Sequence, residues 1–257
     1  MAASPEGVAA PTRKLSCFSL GDYVGLVEAL QARGYADVGL DGLVPERRVM
    51  FLRHDVDLSL ARAVRVAEAE RSLGVRATYY LLISTELYSI ASADGRRLTR
   101  RLVELGHALG LHFDATRYEG GRDALEAAAR EECDMLERLA GAPVRTISFH
   151  RPAPELIGLA GTFAGRRHTY EPCFFHDLAY VSDSSGGFFR GHPLDHPAVA
   201  AGQAVQLLTH PIWWASDKPL SAAEAVAELR REKRLHLDEA LANATAKAPV
   251  GARRDED

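Results

Sequence analysis

Short, wholly apolar runs alternate along this chain with longer stretches of helical period. Val49-Met50-Phe51-Leu52 opens a buried strand over 49–55. Apolar positions at helical spacing then run from Leu58 to Leu73 and stop at Gly74, a helix followed by its glycine cap. Ala77-Thr78-Tyr79-Tyr80-Leu81-Leu82-Ile83 is rich in β-branched and aromatic residues and predicts a second strand. The pattern repeats: a basic amphipathic helix over 96–105 ending at Gly106, a strand over 107–112, a helix over 122–139 ending at Gly141, and a strand over 146–150. A helix over 20–33 capped by Ser19 precedes these elements. Strands over 180–182 and 205–209 and a terminal helix over 222–243, with Ser221 as cap, follow them. Residues 161–200 carry Gly, Pro, His and aromatics without period.

Strands that read as continuous apolar runs between helices argue for an α/β fold, a parallel sheet covered by helices. In such sheets ligands bind beyond the carboxyl ends of the strands, so chemically able side chains should fall just after each apolar run. They do: Asp55 and Asp57 after the first, His112 and Asp114 after the third, His150 and Arg151 after the fourth, and His210 after Val205–Thr209. Asp55 and Asp57 share one side of their strand because strand side chains alternate. Like charges that close repel unless a cation or proton lies between them. Taken alone, Asp57 reads equally well as a helix cap.

Composition narrows the classes. The chain has 257 residues, 47% of them hydrophobic, which suits one α/β domain of barrel size or two small ones. A net charge of −4 leaves no nucleic-acid footprint, and no apolar run approaches the ~20 residues that span a bilayer. The first residues lack the apolar segment of a secretory signal. Cys17, Cys133 and Cys173 are odd in number and show no metal spacing, so reduced thiols in a cytoplasmic protein are expected. Residues 1–14 and 244–257 read as tails around a single domain over 15–243.

Five segments, in order, resemble the motifs of the polysaccharide deacetylase superfamily, the NodB-like carbohydrate esterase group. They are His54-Asp55-Val56-Asp57, Gly106-His107-Ala108-Leu109-Gly110-Leu111-His112, Phe149-His150-Arg151-Pro152, Tyr180-Val181-Ser182-Asp183-Ser184 and Leu207-Leu208-Thr209-His210-Pro211. The resemblance spans about residues 49–214. It implies a distorted (β/α) barrel of about seven strands and a hydrolase that removes acetyl groups. It further implies that Asp55 is the general base, Arg151 sits against Asp55, His210 is the general acid, and Asp183 supports that acid. Asp57 and His112 are implied to hold a divalent metal, zinc first, with Fe(II) or Co(II) as alternatives. Two departures stand out. Val56 separates two acids that usually adjoin. The position four residues after His112, where the family has its second ligand His, is Thr116. The third ligand is then Asp114, His150 or absent.

The substrate expected from this resemblance is a small molecule or glycan, an N-acetylated amino sugar carried on a nucleotide, a glycan precursor or a natural product. A hydrolase of a non-sugar C–N bond, with or without metal, and a non-catalytic carbohydrate-binding relative stand as alternatives. Trp213 and Trp214 follow His210 and read as core residues, loop anchors or a wall for substrate. His54 is expected to face away from Asp55, and His107 to be structural. His168, His176, His192 and His196 lie in the irregular region with no assigned place.

Overall fold

A computed structural model describes residues 17–188 and 191–246. The expected tail 1–14 and residues 247–257 of the expected C-terminal tail lie outside the described residues. The elements are β1 (Cys17–Phe18), α1 (Leu20–Ala32), β2 (Ala36–Asp37), β3 (Val49–Val56), α2 (Leu60–Ser72), β4 (Thr78–Leu81), α3 (Ala93–Glu104), β5 (Ala108–Phe113) and α4 (Arg122–Ala140). They continue with β6 (Val144–Phe149), β7 (Arg167–His168), α5 (Pro172–Phe175), β8 (Ala179–Ser182), α6 (Pro197–Ala200), β9 (Val205–Thr209), α7 (Pro211–Trp214), β10 (Leu220–Ser221) and α8 (Ala222–Thr245).

Seven strands form one parallel path in the order β7-β6-β5-β4-β3-β9-β8, with β2 added beside β3. This is the expected α/β architecture, a distorted (β/α) barrel left open between β7 and β8. The sheet curls strongly. Arg53 of β3 reaches Ser148 of β6 at 2.5 Å, across two intervening strands, which a flat sheet with strands about 4.8 Å apart does not permit. At the open seam, Phe175 of α5 packs against both Tyr170 after β7 and Tyr180 of β8, at ring separations of 5.2 and 4.9 Å.

The alternation of β3 explains the layering. Met50, Leu52 and Val56 point outward and join the main core under the helices, together with Tyr23 and Leu26 of α1 and Ala63, Val66 and Ala67 of α2. Val49 and Phe51 point inward and form a second apolar cluster with Leu40, Tyr80, Phe174 and Leu178, which plugs the lower barrel. Above that plug the interior turns polar, with Arg53, Ser148 and Gln206 all buried.

Helix starts follow their caps. Ser19 and Ser221 each build a reciprocal capping box, with Asp22 and Glu224, as Ser residues at those positions predict. Gly141 ends α4 in the left-handed conformation, and Gly74 follows α2 the same way. α3 begins at Ala93, three residues earlier than its periodicity predicts, because Ser92 caps it. α8 runs to Thr245, beyond the expected domain end at 243, though its last turns are exposed.

Candidate active site and metal centre

β3 ends between the tips of β4 and β9, and the site is assembled there. Asp55 is buried on the inner face. Arg53, two residues earlier on the same face, donates to both its oxygens, Nε to Oδ1 at 3.0 Å and Nη2 to Oδ2 at 2.8 Å. Ser148 adds a hydroxyl bond to Oδ2 at 3.0 Å. Burial works to raise the Asp55 pKa, but the Arg53 guanidinium, with His112 behind it, brings it below the usual carboxylate value. Arg53 is itself held by Gln206 and Tyr170, each at 3.3 Å, and its guanidinium lies 5.0 Å from the Tyr170 ring centre.

This corrects one expectation. Arg151 does not sit against Asp55. Its side chain is two-thirds exposed and pairs with Asp114 at 2.9 Å. Arg151 also takes a positive φ of 45°, which turns the chain outward just past β6. The sequence held a signal for Arg53: an arginine within an apolar run, at the period-two position before Asp55 and Asp57.

Asp57, His112 and His150 converge. His112 Nε2 lies 3.1 Å and His150 Nδ1 3.2 Å from Asp57 Oδ1, and the two nitrogens are 3.1 Å apart. Donors sharing one ion at about 2.1 Å stand about 3.0–3.4 Å apart, so the spacing suits a metal. Asp57 Oδ1 is buried and makes no well-directed hydrogen bond. His112 Nδ1 faces the Ser148 carbonyl at 3.3 Å, and donating its proton there turns the Nε2 lone pair toward the other two donors. Two imidazole lone pairs and a carboxylate oxygen repel unless a cation or a proton lies among them. Burial works to raise the Asp57 pKa, yet His112 and His150 drive it far below the carboxylate range.

His150 thus stands where a third ligand is needed, and Asp114 does not. The strand stops at Phe113, and Asp114 caps a short 3-10 turn, accepting from the Thr116 amide at 3.1 Å and its hydroxyl at 2.6 Å. That turn carries Asp114 away from the side of His112 and ties Thr116 to a structural bond. A nitrogen–oxygen donor set of this kind suits zinc, Fe(II) or Co(II).

On β9 the same logic places His210. Its Nδ1 lies 2.6 Å from Asp183 Oδ1, and its Nε2 faces Asp57 Oδ2 at 3.8 Å. Asp183 is fully buried and also accepts from the His210 amide and from Trp214 Nε1 at 2.6 Å. Burial pulls the His210 pKa down, but the Asp183 carboxylate overrides it and lifts the value to about 9. Trp214 therefore anchors Asp183 beneath the His210 ring, while Trp213 is only half-buried.

The remaining histidines are dispersed. His54 faces away from Asp55, bonding Glu70 and Thr209, and His107 bonds backbone groups of Ala67 and Ala77. His168 is buried beside Phe149, and His176 lies against Phe175. His192 and His196 each accept an amide at the start of a short turn. His196 also lines a cleft of about 460 Å³ with Pro152, Tyr170, Phe175, Tyr180 and Ser182.

No family model matches this chain, and no curated protein matches it in sequence. Solved structures do. The chain is similar to a Streptococcus pyogenes deacetylase solved with acetate, at 10% identity and TM-score 0.44, over 75% of this chain and 81% of that one. It is similar to a family 4 carbohydrate esterase from Bacillus anthracis, at 15% identity and TM-score 0.41, over 84% and 86%. It is also similar to a CE4 family pseudoenzyme from Bacillus anthracis, at 14% identity and TM-score 0.44, and there it spans 74% of its own length and 63% of the other chain.

Proposed function

We propose that this protein is a metal-dependent N-deacetylase acting on the acetamide of an amino sugar. The observation that carries this reading is the convergence of Asp57, His112 and His150 on one point beside a guanidinium-held carboxylate and a carboxylate-held imidazole. An acetamide is a poor electrophile and an amine a poor leaving group, so its hydrolysis needs an activated water, a stabilised oxyanion and a proton for nitrogen. The three parts of the site answer those needs.

Asp57, His112 and His150 would hold the divalent ion. Once bound, it lowers the pKa of a coordinated water toward about 7 and polarises the acetyl carbonyl. Asp55 accepts the proton of the attacking water. Its depressed pKa makes it a weak base, and the low pKa of the water compensates for that. Arg53 and Ser148 keep both Asp55 oxygens oriented while the proton arrives. His210 stays protonated at neutral pH because Asp183 stabilises its imidazolium, and its Nε2 proton goes to the departing nitrogen. Water oxygen joins the carbonyl carbon, the C–N bond breaks, and acetate and a free amine leave.

Thr116 motivates the alternative of a non-catalytic relative, and His150 beside Asp57 and His112 supports the catalytic reading over it. Among the described residues no helix is long and apolar enough to cross a membrane. We take a soluble acetylated precursor as substrate, zinc as first choice of metal and the cytoplasm as compartment. The test is acetate release from a panel of N-acetylated amino sugars, free and nucleotide-linked, before and after chelation. Release abolished by chelator and restored by zinc or cobalt supports the reading. Release indifferent to chelation, or confined to non-sugar amides, overturns it.

A further inference from the structure

Behind the sheet, on the face opposite the site, lies a second set of ionisable groups that the proposed chemistry does not use. Glu70 of α2 is fully buried. It accepts from Tyr23 at 2.5 Å, Tyr79 at 2.6 Å and His54 Nε2 at 2.7 Å. The other ring nitrogen of His54 meets the Thr209 hydroxyl at 2.8 Å. The His54 ring also stacks on Tyr79, with centroids 4.5 Å apart.

The donors can be assigned. A carboxylate can only accept, so His54 Nε2 carries the proton toward Glu70, and Nδ1 faces the hydroxyl. His107 Nδ1 lies 3.6 Å from Glu70 but makes no hydrogen bond to it. Its Nδ1 accepts the Ala77 amide and its Nε2 bonds the Ala67 carbonyl, so both nitrogens are committed. Carboxylate, imidazole and hydroxyl in series are the parts of a nucleophilic triad, yet Thr209 and His54 are each 1% exposed, and no substrate reaches them.

Stability does not account for the arrangement. A well-packed apolar group in place of a buried ion pair is often neutral or stabilising. Its position accounts for it better. His54 and Thr209 are direct partners in the register of β3 and β9. The next residue on β3 is Asp55, and the next after β9 is His210. We propose that Glu70, His54 and Thr209 are positioning residues that lock the tips of β3 and β9 together and so fix Asp55 and His210 relative to each other. The proposal rests on the hydrolytic reading for its purpose, but its test uses no substrate.

The test is NMR on the full chain with 15N-labelled histidine. In the wild type, His54 carries its proton on Nε2, and the short Asp183–His210 bond gives a far-downfield proton resonance. Thr209→Val and Glu70→Gln are expected to move that resonance upfield or lose it to exchange, and Thr209→Ser to restore it. If both variants lower the melting temperature and leave the resonance in place, Glu70 and His54 are only a structural pair and the proposal is overturned. Should either variant fail to fold, the wild-type spectrum still decides: His54 without a proton on Nε2 lacks the bond to Glu70 and overturns the proposal.

Discussion

Arg53 and Asp55, two residues apart on β3, form a two-bond pair in which both side chains are almost wholly buried. The guanidinium that orients the candidate base therefore comes from the base's own strand. Removing one member of a buried pair strands the other charge, so Arg53→Ala should cost about 3–5 kcal/mol in chemical denaturation and abolish turnover. Arg151→Ala removes a guanidinium that is two-thirds exposed and leaves Asp114 bonded to Thr116, so it should cost less than about 1 kcal/mol. Equal effects of the two changes would show that Asp55 does not depend on Arg53.

His210 has a pKa raised to about 9 by Asp183, against the pull of burial. A general acid with that value keeps its proton through neutral pH, so turnover should hold up to about pH 9 and fall above it. Asp183→Asn removes the main opposition to burial, leaving only the Asp57 and Asp55 charges, and the alkaline limb should shift toward acid. The same pairing adds folding stability that is complete below about pH 6.5, the free-histidine value, and is lost as pH rises through about 9. A pH–rate profile of wild type and Asp183→Asn checks this. An unmoved alkaline limb would assign it to some other group.

His150 and Asp114 compete on paper for the third metal position, and titration of metal-free protein separates them. His150→Ala should weaken zinc or cobalt binding by more than the 10- to 100-fold typical of outer-sphere partners. Asp114→Ala should leave affinity within about threefold, because its carboxylate is occupied by Thr116 and Arg151. The reverse ranking would move the site.

Gly110 explains one glycine of the second motif. A Cβ there would lie 2.3 Å from the Tyr80 ring and 3.0 Å from the Thr146 carbonyl. Tyr80 in turn bonds the Thr146 hydroxyl across β5. Gly110→Ala should therefore push β4 and β6 apart and destabilise the protein by at least about 1–3 kcal/mol, read as a lower denaturation midpoint. A neutral substitution would mean that Tyr80 has room to move.

The strand and helix pattern was legible where buried strands are apolar runs and helices carry a side-chain cap, as Ser19 and Ser221 show. Strand tips foretold Asp55, Asp57, His112 and His210 because side-chain alternation is local. What sequence hid depends on curvature and turns. Ser148 meets Arg53 only because the sheet closes on itself, and Asp114 leaves the site only because a 3-10 turn begins there. Arg151 misled for the same reason, since its positive φ sends it to the rim.

The central claim is that Asp57, His112 and His150 share one ion. Anomalous scattering from crystals of the cobalt- or zinc-loaded protein tests it directly. The account predicts a single strong site about 2.0–2.2 Å from Asp57, His112 Nε2 and His150 Nδ1. A peak elsewhere, or none among these three side chains at saturating metal, would contradict it.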